Sequence, residues 1–141
     1  MEFMAVQLIL DQQEFPHSLG KVVCVGRNYA AHAKELNNPI PTSPILFIKP
    51  ASSVVPFSPS FSIPKDQGSV HHELEIAILI GQPLIHATEQ QVAESIAGVG
   101  LGLDLTLRDV QDTLKEKGHP WERAKSFDGA CPLTEFVSVA N

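Results

Sequence analysis

Cysteine is scarce in this chain, with two among 141 residues, too few for a disulfide framework. Cys24 sits in the apolar run Val22-Val23-Cys24-Val25 and Cys131 precedes Pro132, so both are expected as free thiols in a reducing compartment. Basic residues are also few: 10 Lys and Arg stand against 16 Asp and Glu, a formal net charge of −6. Phosphate backbones need a basic face, so nucleic acid is not an expected partner. Long apolar runs are missing too. The stretch Ile76 to Ile80 is far too short to span a bilayer. The first ten residues lack the basic start and small-residue cleavage site of a secretory signal. A cytoplasmic protein with no membrane partner is the expectation. No internal repeat or low-complexity tract is present.

What remains is an ordinary globular composition, 43% hydrophobic, long enough to bury one core. Short β-branched runs separated by turn residues dominate. Strands are expected near 5–10, at Lys21 to Val25, at 45–48, at His72 to Ile80 and at Gly98 to Leu107. The Pro- and Ser-loaded stretch Ala51 to Gly68 reads as loop or edge strand. Helices are expected at Asn28 to Leu36, at Glu89 to Ala97 behind a Thr88/Gln91 capping box, and at Arg108 to Lys117 before Gly118. Residues 121–141 read as a loop and a short strand. The pattern predicts an α+β, β-rich fold. Gly98-Val99-Gly100-Leu101-Gly102 lacks the spacing of a phosphate loop and is expected to permit close backbone packing.

The sharpest chemical feature is Glu73-Leu74-Glu75-Ile76. Alternation places Glu73 and Glu75 on one strand face and predicts Leu74 and Ile76 toward the core. Paired carboxylates repel unless they are exposed, protonated or bound to a cation. Asp104 lies in an otherwise apolar strand, where a lone carboxylate is costly unless paired or ligating. Three carboxylates without a thiolate describe a hard-cation site. Pairing of Asp104 with Arg108 is the plainer alternative. By alternation His71 shares the glutamate face, which leaves a zinc site of the His/Glu type conceivable. His32 and Glu35 are spaced i, i+3, as an oriented imidazole base requires, although such pairs are commonly surface ion pairs. Arg108 and Gln111 have the same spacing and suit the oxygens of a small acid, and Lys125 sits among small and apolar residues.

Five ordered segments together resemble the fumarylacetoacetate hydrolase family, especially its acylpyruvase and fumarylpyruvate-hydrolase-like branch. They are Val23-Cys24-Val25-Gly26-Arg27-Asn28-Tyr29, Leu46-Phe47-Ile48-Lys49-Pro50, His71-His72-Glu73-Leu74-Glu75, Leu103 to Gln111, and Pro120-Trp121 with Ala124-Lys125-Ser126-Phe127-Asp128. The resemblance implies a lead-in strand and loop over 1–20, then roughly the N-terminal two-thirds of a single catalytic domain over 21–141; it implies a mixed β-sandwich roll, incomplete here, and a homodimer. It implies that Glu73, Glu75 and Asp104 ligate Mg²⁺ or Mn²⁺, with Ca²⁺ a third hard cation that could occupy the site. It implies that His32 and Glu35 form the water-activating dyad and that Lys125 is catalytic. It places Arg27, Lys49, Arg108 and Gln111 around a small keto acid. The implied reaction is hydrolysis of a C–C bond in an acylpyruvate, with decarboxylation or isomerisation of oxaloacetate or hydroxylated dienedioates on the same site as the alternative. A non-catalytic fragment that binds metal or a partner is a further one. Family chains continue into a Gly-Thr-Gly-Thr-Pro-type loop that this sequence does not reach, so a C-terminally truncated member is expected.

Overall fold

The computed structural model describes residues 6–28 and 42–139. The expected helix over Asn28 to Leu36 therefore lies almost wholly outside the described residues, as do His32 and Glu35. Two short strands, β1 (Ile9–Leu10) and β2 (Gln13–Glu14), form a small hairpin. Strands β3 (Lys21–Gly26) and β4 (Ile45–Pro50) pair antiparallel as a separate ribbon. A 3-10 turn (Ala51–Ser53) leads into β5 (Val54–Pro56).

The main sheet is built on the long antiparallel pair β6 (Val70–Ile80) and β7 (Ile96–Leu107). Helix α1 (Glu89–Glu94) falls between them, and the expected capping box at Thr88 and Gln91 forms. The helix stops at Glu94, short of the expected Ala97. The reason is strand demand: Ile96 and Ala97 already belong to β7, whose ladder to β6 outcompetes a further helical turn. Helix α2 (Arg108–Glu116) follows directly, and Gly118 takes the left-handed conformation that ends it, at φ 64°. A one-turn helix, α3 (Glu122–Lys125), occupies part of the segment expected as loop. Then β8 (Cys131–Leu133) and β9 (Val137–Ser138) complete the sheet, in the order β5-β8-β7-β6 with β9 also on β7. The β5–β8 pairing is parallel, so the sheet is mixed and the fold β-rich, as expected. No helix among the described residues is long and apolar enough to cross a membrane.

One expectation about β6 is reversed. Leu74 and Ile76 are 59% and 67% exposed, and Leu79, on the glutamate side of the strand, is buried. The cause lies across the pair, where Glu75, Ala77 and Leu79 stand opposite Gly102, Gly100 and Gly98. A Cβ on Gly98 would lie 2.6 Å from a Leu10 methyl and 2.8 Å from the Val137 carbonyl; one on Gly102 would lie 2.8 Å from Leu133. The bare glycine stripe thus lets other segments settle on this face. The core forms there, from Leu8, Phe15, Leu79 and Phe136 with Leu10 and Leu133 around them. The close-packing reading of the glycines holds, and it decides which side of β6 is inside.

Candidate active site

The register of the long pair sets the site. Glu73 stands opposite Asp104, His71 opposite Thr106, and Glu75 opposite Gly102, so the acidic side chains share a face. Directly opposed carboxylates are destabilising unless cations stand between them. Two lysines supply that charge. Lys49 enters from β4 with no exposed surface, and its Nζ lies 2.9 Å from Asp104 Oδ1. It also donates to the carbonyls of Leu105, at 3.1 Å, and of Lys125. Lys125 enters from α3, 4% exposed, and donates to Asp104 Oδ2 at 2.6 Å and to Thr106 Oγ1 at 2.7 Å. Its third ammonium proton faces Glu73 Oε2 at 3.7 Å.

The position of Lys125 is itself fixed. Its backbone N–H donates to Trp121 in the single turn of α3. Ser126 Oγ donates to the Ile48 carbonyl at 2.7 Å, and Ser53 Oγ donates to the Ser126 carbonyl at 3.0 Å. These bonds tie α3 to β4 and to the 3-10 turn. The Lys125 ammonium lies 4.9 Å from the centre of the Phe47 ring, a favourable cation–π distance.

Arg108 opens α2 beside Glu73. Its Nη1 donates to Gln111 Oε1 at 2.5 Å, its Nε donates to His71 Nδ1 at 3.2 Å, and its Nη2 lies 3.7 Å from Glu73 Oε1. Asp104 therefore pairs with Lys49 and Lys125, and Arg108 turns instead to Glu73, against the simple Asp104–Arg108 pairing. His71 shares the glutamate face as alternation predicts, but its Nδ1 is given to Arg108 rather than to an acidic cluster.

An open cavity of about 930 Å³ covers this face. Glu73, Glu75, Asp104, Arg27, Arg108 and Gln111 all line it. Arg27 follows β3 in the left-handed backbone region, at φ 52°, uncommon for a side-chain-bearing residue. Lys49 lines the cavity too, yet its ammonium is fully engaged by protein groups, so it holds Asp104 and Lys125 in place rather than reaching a ligand. Cys24 and Cys131 lie along the same wall as free thiols. Burial, reinforced by the negative charge of Asp104, pushes Cys24 up to about 11. Burial alone is the main cause at Cys131, which rises to about 12. Neither is a ready nucleophile at neutral pH.

The carboxylates fit a hard divalent ion by donor chemistry: three oxygen ligands without a thiolate. Asp104 Oδ1 is buried and takes no aligned hydrogen bond among the described residues, which leaves it a lone pair to give. Asp104 and Glu73 are at present turned toward lysine and arginine, and among the described residues no three His, Cys, Asp or Glu side chains close on a common point. Two residues that belong to the site escaped the sequence reading. Thr106 is two positions from Asp104 and so shares its face, a signal that was available from alternation. Lys115 lines the cavity, and its spacing of seven from Arg108 and four from Gln111 puts the three on one helical face.

Residues 21–141 match the family model described as the fumarylacetoacetate (FAA) hydrolase C-terminal domain. The chain is 52% identical over 124 residues to oxaloacetate tautomerase YcgM of Escherichia coli (strain K12), spanning 88% of this chain and 57% of that protein. It is 43% identical over 116 residues to the mitochondrial oxaloacetate tautomerase FAHD1 of Bos taurus, spanning 82% of this chain and 52% of that protein. It thus spans just over half the length of these relatives. Among solved structures, a candidate fumarylacetoacetate isomerase/hydrolase from Oleispira antarctica superposes with a TM-score of 0.94 at 82% identity, covering 96% of this chain and 61% of the other. Fumarylpyruvate hydrolase from Pseudomonas aeruginosa, in complex with Mn²⁺ and pyruvate, superposes with a TM-score of 0.86 at 36% identity, covering 98% and 62%. The register of carboxylates on the glycine-backed face, the lysines that grip them and the match over residues 21–141 place this chain in the fumarylacetoacetate hydrolase family.

Proposed function

We propose that this chain carries the acid-binding centre of a divalent-metal-dependent enzyme acting on small β-keto acids, with keto–enol tautomerisation of oxaloacetate as its reaction. The observation that carries the reading is the Glu73/Asp104 pair, set in direct register and faced by Lys125 at 3.7 and 2.6 Å. The similarity to oxaloacetate tautomerases over most of this chain favours tautomerisation over C–C cleavage.

Tautomerisation moves one proton, from C3 of oxaloacetate to the oxygen on C2, with no net change of atoms. Negative charge grows on that oxygen as the C3 proton leaves. Glu73, Glu75 and Asp104 would hold Mg²⁺ or Mn²⁺, which when bound supplies Lewis acidity toward such an oxygen. Lys125 has two of its three protons committed to Asp104 and Thr106. The third is available to an oxygen that takes the place facing Glu73, and a cation held in a buried setting stabilises charge there strongly. Arg108, fixed by His71 and Gln111, offers a planar donor edge to a carboxylate. His32 with Glu35 is the proton acceptor in this proposal.

Hydrolysis of an acylpyruvate is the second reading, favoured by the likeness to the Pseudomonas aeruginosa fumarylpyruvate hydrolase. Both readings include a homodimer, which the exposed Leu74, Ile76 and Ile78 of β6 support as apolar surface in need of cover. The test is the decay of the enol's ultraviolet absorbance after oxaloacetate is added with Mg²⁺. Acceleration over buffer that is lost in Asp104→Asn supports tautomerisation. Cleavage of acetylpyruvate to pyruvate and acetate, without enol–keto acceleration, would move the assignment to hydrolysis.

A further inference from the structure

The cavity is far more basic than the chain. Among the described residues it is lined by six cationic side chains and three carboxylates, in a protein of net charge −6. Lys49 and Lys125 are tied to Asp104, and Arg108 faces Glu73. Arg27 and Lys115 make no ion pair with a carboxylate among the described residues, yet both line the same space. Lys115 stands on the α2 face that also carries Arg108 and Gln111. Its Nζ is 5.6 Å from the centre of the Trp121 ring, whose neighbour Phe47, at 6.1 Å, carries the Lys125 ammonium. One ammonium therefore sits over each ring of an aromatic pair, one deep at the carboxylates and one at the exposed rim. Burial holds Lys115 below the usual lysine range, and the like charges of Arg108, Arg27 and Lys125 add to it, opposed by Asp112. Cations gathered at that density repel one another until an anion enters between them.

We propose that Lys115, with Arg27 and Arg108, forms a second anion subsite that selects keto acids bearing a carboxylate at each end. The proposal rests on the keto-acid reading above and adds to it the recognition of the distal charge. A dianion would place its oxo-acid end at the Asp104–Lys125 centre and its far carboxylate against the rim cations. A substrate with a methyl ketone in that place would leave Lys115 without a partner. Lys115 is then a specificity residue, and the ordinary role of an exposed helical lysine as a solvated charge does not account for its stacking over the single tryptophan of the chain.

The experiment is a titration of the chain, with Mg²⁺ present, by oxaloacetate and by acetylpyruvate, read from the fluorescence of Trp121. In wild type, Lys115→Gln and Lys115→Arg, the quantity of interest is the ratio of the two dissociation constants. Lys115→Gln is expected to shift that ratio against oxaloacetate by about tenfold, as loss of one charge-assisted contact does, and Lys115→Arg to restore most of it. An equal effect on both ligands, or none on either, overturns the subsite while leaving the keto-acid reading intact. If wild type binds neither ligand, the keto-acid reading falls and the subsite falls with it.

Discussion

Replacing Lys49 by Met keeps the length of the stem and removes only the ammonium. Asp104 Oδ1 loses its ion-pair partner, and the carbonyls of Leu105 and Lys125 lose their donor. Breaking a buried ion pair by deleting one partner costs about 3–5 kcal/mol, because the other charge is left uncompensated. Lys125 still contacts Asp104 Oδ2 at 2.6 Å, which holds the expected cost to the lower part of that range. The loss is a large share of the roughly 5–15 kcal/mol by which domains are stable. With a urea slope of about 1–3 kcal/mol per molar, the midpoint should fall by roughly 2 M at unchanged slope. Urea unfolding followed by Trp121 fluorescence measures it. A double-mutant cycle with Asp104→Asn adds a sharper test, since neutralising Asp104 should cost less once Lys49 is gone. A loss under about 1 kcal/mol, or strict additivity in the cycle, would refute the claim that Lys49 clamps Asp104 and the α3 turn.

The remaining predictions draw on separate parts of the structure. Gly98→Ala sets a methyl against the Leu10 side chain and the Val137 carbonyl, so a thermal melt should show destabilisation of about 1–3 kcal/mol, whereas Gly118→Ala meets no atom and pays only the left-handed backbone strain. The thiols of Cys24 and Cys131, raised to about 11 and 12, should react slowly with iodoacetamide at pH 7 and faster as pH climbs. The same groups set an alkaline limit. Their folded values lie above the ordinary 9.0, so their contribution is complete below pH 9 and is lost as pH rises toward 11–12, which urea midpoints across that range would register. Thr106→Val removes one acceptor from the Lys125 ammonium and should slow oxaloacetate tautomerisation by about tenfold with little change in Mg²⁺ affinity, a split visible by comparing turnover with metal titration.

Much of the site was legible because strand periodicity is strict. Residues two apart share a face, which groups His71, Glu73 and Glu75 from the sequence alone. The inside of the strand was harder to read. Leu74 and Ile76 are the more apolar pair, and composition alone turns them inward. The deciding residues are Gly98, Gly100 and Gly102 on the neighbouring strand, and their influence depends on a register that local sequence does not contain. Similarly, the helix after Thr88 announced its start through its capping box, while its end was set by recruitment of Ile96 and Ala97 into β7. The lysine clamp was out of reach for another reason. Lys49 and Asp104 are 55 positions apart in sequence, and nothing near Lys49 distinguishes a buried ammonium from a solvated one. Lys115 was within reach, since its helical spacing from Arg108 and Gln111 is plain in the sequence.

The central claim is that Glu73, Glu75 and Asp104 form a hard-cation site for keto-acid chemistry. Calorimetric titration of metal-free protein with Mn²⁺, in the presence of oxalate as a mimic of the pyruvyl end, tests it most directly. The account predicts saturable binding at one ion per chain, abolished in Asp104→Ala and in Glu73→Ala while both variants keep their folded circular dichroism. Binding that survives both substitutions, or no binding by the folded wild-type chain, would contradict it.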